Sequence, residues 1–325
     1  MLSSKLKFFA SNFVIITLSL IFIFTICEGV LRLKNFIIPN YDIEMWKYSK
    51  ILKEKSDNNK IGHIHKKNKS TTLQGVKIKI NNIGQRGQEI NIKKIDGYNR
   101  RILIIGSSVT LGWGVKEEKI LSNIIKILSI KDNNNWIVFN GGIGNYNTQR
   151  YVNNYIENWQ NLKITDLIIQ FFVNDTEILK DNKVNFFTIH THTGVMIWKF
   201  VNSLKPYLQS ENIVNYYKKL YEDNFEGLKI TKMELKKLKE HCDINKINCM
   251  IVLTPDIHKL NPYKLSFINK KIKTIASDLE FKYYDLLPSF KNIDEKKIWN
   301  KYNDPHPNEI GHRIMGEAIY GFLKK

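Results

Sequence analysis

The stretch RILIIGSSVTLG, Arg101 to Gly112, sets the reading of the whole chain. Arg101 to Ile105 is a short apolar run that ends at Gly106. Such a run, closed by a glycine, reads as a strand buried on both faces, the pattern of a parallel sheet. Ser107 and Ser108 follow at once. A serine on a sharp strand-to-helix turn exposes its hydroxyl and lets backbone N–H groups converge above it. The flanking glycines permit the tight backbone. Taken alone, the same stretch is equally an ordinary strand-to-helix turn with serine caps.

Downstream the pattern recurs. Trp136 to Phe139, Asp166 to Val173, Cys249 to Leu253 and Phe281 to Tyr284 are further apolar runs. They end at Asn140-Gly141-Gly142, Asn174-Asp175, Thr254-Pro255 and Asp285 respectively. Between them, Glu118–Ile130, Thr148–Asn161, Leu228–Asn245 and Tyr263–Asp278 have helical character. Strand–helix alternation of this kind predicts an α/β domain with a five-stranded parallel sheet covered on both faces. In open sheets of this class the sites lie just past the C-terminal ends of the strands. The polar clusters of this chain fall there.

Upstream, Phe8 to Cys27 (FFASNFVIITLSLIFIFTIC) carries no charge. It has about the 20 residues that a membrane-spanning helix needs. A cleaved signal peptide has a shorter apolar core and a small-x-small cleavage site, whereas Glu28, Gly29 and Val30 follow here. An uncleaved single-pass anchor over residues 1–34 is therefore expected. Lys5 and Lys7 precede the span and Arg32 and Lys34 follow it, so the positive-inside rule leaves its orientation open. Residues 35–97 form a lead-in expected to pack on the α/β domain, with Val76 to Ile80 alternating as an exposed strand would. The domain itself spans 98–325. Residues 176–227 break its rhythm, show little periodicity, and read as a long insertion over the sheet edge, of a kind that often carries function.

Of the 325 residues 43% are hydrophobic, which excludes a disordered chain. The formal charge is +19, but the basic residues are spread widely and no nucleic-acid motif accompanies them, so no nucleic-acid partner is expected. Cys27 lies in the apolar span, and Cys242 and Cys249 have no metal-ligand spacing. Neither a metal nor any other cofactor is expected. A Cys242–Cys249 disulfide is possible by count, while Cys249 also reads as a small core residue.

Three more clusters carry chemistry. Asn140 to Thr148 (NGGIGNYNT) is a glycine-rich loop between strand and helix. It can aim a backbone N–H at an oxyanion or cradle a phosphate, or be a tight turn capped by Thr148. Val173-Asn174-Asp175 ends the most apolar strand. The Asn174 side chain there can donate to developing negative charge or close an Asx-turn. Asn303-Asp304-Pro305-His306-Pro307-Asn308 comes late in the chain. A histidine beside a carboxylate suits a base and the group that fixes its tautomer, or a helix cap with Pro307 in the first helical turn. His312 reads as a helix-face residue in either case.

Together these four blocks, GSSVTLGWG, NGGIGNYNT, VNDT and DPHPNEIGH, resemble the SGNH (GDSL) hydrolases, in the same order and on the same elements. The similarity runs over about residues 76–325, since GVKIKINNIGQRGQEI resembles the lead-in of anchored members. The resemblance implies a flavodoxin-like three-layer α/β/α fold and a serine esterase or acyltransferase. It implies Ser108 as nucleophile, His306 as base and Asp304 as the group that orients His306. The oxyanion hole implied is the Ser108 N–H, the Asn145 N–H and the Asn174 amide. The sequence departs from the family at Ser107, usually Asp, at Asn145, usually Gly, and at Asn303, where many members have the orienting Asp. The substrate expected is a small acyl group, acetyl foremost, on a cell-envelope carbohydrate, with the domain outside the cytoplasm. A lipid-ester hydrolase and a glycan-binding or assembly protein with a decayed site are the alternatives.

Overall fold

The computed structural model describes residues 2–179, 185–207, 213–301 and 304–324. The helices, in chain order, are α1 (Leu2–Ile37), α2 (Tyr41–Leu52), the single turn α3 (Ser108–Leu111), α4 (Leu121–Lys131), α5 (Thr148–Asn154), α6 (Phe186–His190), α7 (His192–Tyr207), α8 (Ile213–Leu220), α9 (Glu226–Ile244), α10 (Ser266–Asp278) and α11 (Glu309–Leu323). The strands are β1 (Lys53–Lys55), β2 (His63–His65), β3 (Lys69–Leu73), β4 (Val76–Ile80), β5 (Arg100–Gly106), β6 (Trp136–Gly142), β7 (Asp166–Phe172), β8 (Asn248–Thr254), β9 (Lys282–Asp285), β10 (Trp299–Lys301) and β11 (Asp304–Pro307). The chain divides into two compact units. One is Met1–Lys47 with Asn182–Ser210, and the other is Tyr48–Asp181 with Glu211–Lys325.

In the larger unit β6-β5-β7-β8-β9 form one sheet, with every neighbouring pair parallel. Counted along the chain, the order is 2-1-3-4-5, the doubly wound flavodoxin-like topology. This is the expected fold. Alternate residues of each strand feed two cores, because side chains alternate across a pleat. Ile102, Ile104, Ile168, Met250 and Val252 pack with Leu121 and Ile125 of α4 and Met315 and Ile319 of α11. Leu103, Ile105, Leu167, Ile169 and Ile251 pack with residues of α5, α9 and α10, among them Val152, Leu235 and Ile272. The three layers place the C-terminal ends of all five strands along one edge.

Several local readings change. The helix expected over 148–161 ends as α5 at Asn154 and continues as one π turn, Tyr155–Trp159, and a 3-10 turn, Gln160–Leu162. Its cap is Asn147, whose side chain accepts from the Arg150 N–H, and not Thr148. Pro307 closes strand β11 and does not open the last helix; Asn308 caps α11 by accepting from the Ile310 and Gly311 N–H groups. In β4 the apolar residues Ile78 and Ile80 are buried and Lys77 is exposed. The described parts of 176–227 are largely helical, as α6, α7 and α8. Apolar residues are distributed around α7 (Val195, Met196, Ile197, Trp198, Phe200), so no clean stripe marks it in the sequence. Cys242 and Cys249 are buried free thiols.

In the smaller unit, Phe8–Ile37 is a helix long and apolar enough to cross a membrane. After it, Asn35 donates to Glu44 at 2.9 Å and accepts from the Asn40 N–H at 2.7 Å. These bonds fix the turn into α2.

Candidate active site

Ser108 stands at the first position of α3, two residues past the end of strand β5. The turn is tight because Gly106 leaves no room for a side chain. A Cβ there would lie 2.1 Å from Thr110 Oγ1 and 2.9 Å from the Gln170 carbonyl oxygen. The α3 turn stops at Gly112, which adopts φ +78° and donates its N–H back to Ser108 and Val109. From below, the buried Arg86 guanidinium donates to the carbonyls of Leu111 (2.8 Å), Gly112 (2.6 Å) and Val115 (2.6 Å). The serine therefore sits on backbone held at both ends.

Asp304 and His306 lie on β11, two residues apart, and so share a face of the strand. His306 Nδ1 is 2.6 Å from Asp304 Oδ1, and His306 Nε2 is 2.9 Å from Ser108 Oγ. A carboxylate only accepts, so Nδ1 carries the hydrogen and Nε2 offers its lone pair to the serine hydroxyl. Burial pushes the Asp304 carboxyl upward, but the hydrogen bond and charge of His306 and the bond from Asn300 outweigh it. The net result lies below the usual carboxylate value. Asp304 is thus an ionised, nearly fully buried partner for the imidazole. Asn303 lies outside the described residues.

Two side chains that sequence reading missed complete the carboxylate. Trp113 Nε1 donates to Asp304 Oδ2 at 3.2 Å, and Asn300 Nδ2 donates to the same oxygen at 3.1 Å. Trp113 is the centre of Gly112-Trp113-Gly114. A Cβ at Gly114 would lie 2.0 Å from Asn300 Nδ2. The glycine lets Asn300 approach, so the nucleophile loop and the histidine hairpin β10–β11 interlock. The GWG triplet that closes the serine block was the available signal.

Asn145 and Asn174 follow the strands that flank β5. Gly106 is in register with Gly142 of β6 and Gln170 of β7, so both residues emerge on the same edge as Ser108. Asn145 is exposed and adopts φ +63°, a conformation that asparagine tolerates better than most residues. Asn174 is half-buried in a turn closed by Asp175, whose carboxylate accepts the Phe172 N–H at 3.0 Å. The two loops are tied together, since Thr148 donates its N–H and its hydroxyl to the Asp175 carbonyl, each at 3.1 Å. Among the described residues, the Ser108 and Asn145 N–H groups and the Asn174 side-chain amide make no hydrogen bond within the protein. They are not in contact with one another through hydrogen bonds; they are three free donors on one edge. Ser107, beside the nucleophile candidate, is buried.

Beneath the Asn145 loop lies a cluster that the sequence did not suggest. The buried Lys53 Nζ donates to the Gly144 carbonyl at 2.7 Å, and His63 Nε2 lies 3.0 Å from the same oxygen. The Gly144 N–H donates to the Tyr48 hydroxyl at 2.9 Å, and that hydroxyl reaches His65 Nε2 at 2.7 Å. Arg150 Nη1 lies 3.2 Å from His63 Nδ1. Burial, then the Arg150 charge, pushes Lys53 down to about 7. Burial, then the charges of Lys53 and Arg150, pushes His63 down to about 2, so His63 is neutral and donates from Nε2 while Nδ1 accepts. In a trans peptide C=O and N–H point oppositely. Holding the Gly144 carbonyl toward this cluster therefore turns the Asn145 N–H away from it.

His312 is on α11 but faces inward, fully buried, with Nδ1 accepting the Leu121 N–H at 3.2 Å. It packs α4 against α11 and takes no part in the Ser108–His306–Asp304 chain.

No protein-family model matches the chain, and no curated protein does. Solved structures overlap it. A psychrotrophic esterase from Pseudoalteromonas sp. overlaps 70% of this chain and 97% of its own, at 11% identity and a TM-score of 0.44. An acetyl-xylooligosaccharide esterase from Geobacillus overlaps 70% and 94%, at 14% identity and 0.45. A two-domain esterase active on acetylated mannans overlaps 71% and 50%, at 16% identity and 0.44. Likeness at this level transfers no residue role; the site stands on its own geometry.

Proposed function

We propose that the chain is a serine esterase of the SGNH type, anchored to a membrane by α1, with residues 98–325 as its catalytic domain and the lead-in over 35–97 supporting it. The observation that carries this reading is the unbroken hydrogen-bonded chain from Ser108 through His306 to Asp304. Ser108 Oγ attacks the acyl carbon as His306 Nε2 takes its proton. The carbonyl π electrons move onto oxygen, which the Ser108 and Asn145 N–H groups and the Asn174 amide receive. Each such donor contributes on the order of 3 kcal/mol. The intermediate collapses, the proton on Nε2 goes to the leaving alkoxide, and an acyl-Ser108 ester remains. Water, or a hydroxyl of a second sugar, then enters by the same steps in reverse. The carboxylate holds the Nε2 lone pair toward the serine and stabilises the imidazolium formed in each step.

The substrate class proposed is a small acyl group, acetyl foremost, on a cell-envelope carbohydrate, met outside the cytoplasm. This rests on the sequence resemblance and the anchor. A decayed binding site is disfavoured by the intact triad geometry and three unoccupied donors.

The test is labelling of the full-length protein in detergent with a fluorophosphonate. A phosphonate adduct on Ser108, lost in Ser108→Ala, is expected. A folded protein that takes no label would overturn the enzyme reading. Comparing p-nitrophenyl acetate with p-nitrophenyl decanoate separates small-acyl from lipid-ester specificity, and acetylated oligosaccharides test the carbohydrate.

A further inference from the structure

Phe186 to Val201 reads FFTIHTHTGVMIWKFV. Its helices α6 and α7 are the second half of the smaller unit. They turn an apolar surface outward: Phe186 (70%), Phe187 (61%), Ile197 (56%), Phe200 (63%) and Val201 are all exposed. Ile197, Phe200 and Val201 are spaced three and four apart and line one side of α7. A patch of this kind left in water invites association.

Its place along α1 identifies what covers it. The uncharged run of α1 ends at Cys27, and Glu28 is the first charge. Phe24 lies four residues before Glu28, about 6 Å deeper along the helix axis. The Phe187 ring meets the Phe24 ring edge-on at 6.2 Å. The Glu28 carboxylate accepts the His192 N–H at 3.0 Å, and the Thr193 N–H and hydroxyl at 2.9 Å. It thereby caps α7, as an acidic group at a helix start should. Arg32 donates to the His190 carbonyl at 3.3 Å. The start of α7 is thus fixed at the level where the apolar run of α1 gives way to charge. Around it are the groups of a membrane boundary: Trp198 edge-on to Trp46 at 5.4 Å, and Lys199 paired with Asp42 on the side of α7 away from Ile197.

We propose that α6 and α7 form a second membrane-contacting element beside α1, with the bilayer's headgroup–hydrocarbon boundary as the occupant of their apolar face. The inference rests on the reading of α1 as a retained anchor. Bilayer lipid, not a protein, is the occupant because the face is continuous with a lipid-facing helix and joined to it at membrane depth through Phe24. An element of this kind lies in the interface plane and does not span it.

The test uses the full chain reconstituted in vesicles of phosphatidylethanolamine and phosphatidylglycerol. Ile197 and Phe200 are replaced in turn by p-benzoylphenylalanine, and Ile244, exposed on the larger unit, serves as the control position. After illumination, mass spectrometry should find phospholipid adducts at 197 and 200 and none at 244. Adducts to a second copy of the chain in place of lipid, or equal lipid labelling at all three positions, would overturn the proposal. Carbonate extraction of the same vesicles separates the two readings. Retention of the chain without lipid adducts at 197 and 200 refutes the docking face alone, and release of the chain refutes the anchor as well.

Discussion

Replacing Lys53 by methionine tests the cluster under the Asn145 loop. Lys53 is buried beside Arg150 and pushed from 10.5 down to about 7. Its folded value therefore lies below its unfolded one, so between these limits the unfolded chain binds more protons. Stability must rise with pH in that window, by about 1.4 kcal/mol per unit. From pH 7 to 10 the Lys53 contribution amounts to about 4 kcal/mol; below 7 both states hold the proton and the slope vanishes. The groups facing Lys53 are Arg150, His63, His65 and Tyr48, and all remain in Lys53→Met. The wild-type minus variant difference thus isolates the lysine. Urea unfolding in mild detergent, followed by tryptophan fluorescence at pH 7, 8, 9 and 10, should show the two stabilities diverging as calculated. Parallel curves would refute the assignment of a depressed, proton-binding lysine at this position. In kinetics, the Gly144 carbonyl keeps only His63, and loss of one charged hydrogen bond should lower kcat about tenfold with KM little changed.

Asp304→Asn should lower kcat about 10³- to 10⁴-fold by freeing the imidazole tautomer. Because the Asp304 carboxyl is held below its usual value, the stability it contributes is present above about pH 4 and lost as the pH falls through the lowered value, so the variant should lose less stability on acidification. Asn174→Ala should lower the rate about 100- to 1,000-fold with substrate binding nearly unchanged, whereas Asn145→Gly, at φ +63°, should stay within about tenfold; circular-dichroism melts on both exclude unfolding as the cause. Trp113→Phe removes one bond to a buried carboxylate and should cost about 1.5–3 kcal/mol in a thermal melt, with a parallel loss of kcat and Asn300 still in place.

The sheet was legible in the sequence because a doubly covered parallel strand is a local pattern: a few apolar residues closed by a polar or glycine turn. Three of the four chemical blocks were legible for the same reason, since each is a short segment at the end of a sheet strand, and the fourth was legible as a histidine beside a carboxylate. Ser108, Asp304 and His306 could be named from them through the family resemblance, but only the structure puts the last two on one face of a strand. The details that complete the site were not local. Trp113 and Asp304 are 191 residues apart, Lys53 and Gly144 are 91, and Arg86 reaches Leu111 across 25. No composition or period encodes such pairings; they exist only after two cores have closed over the sheet. The lysine is the plainest case. In the sequence Lys53 is one of 50 basic residues that read as solvated charge, and packing alone turns it into a buried amine that donates to a backbone carbonyl and binds its proton weakly. The outward apolar face of α7 is the reverse case. Its residues are visible in the sequence, but only the contact of Phe187 with Phe24 and the capping by Glu28 show at which level of α1 they lie.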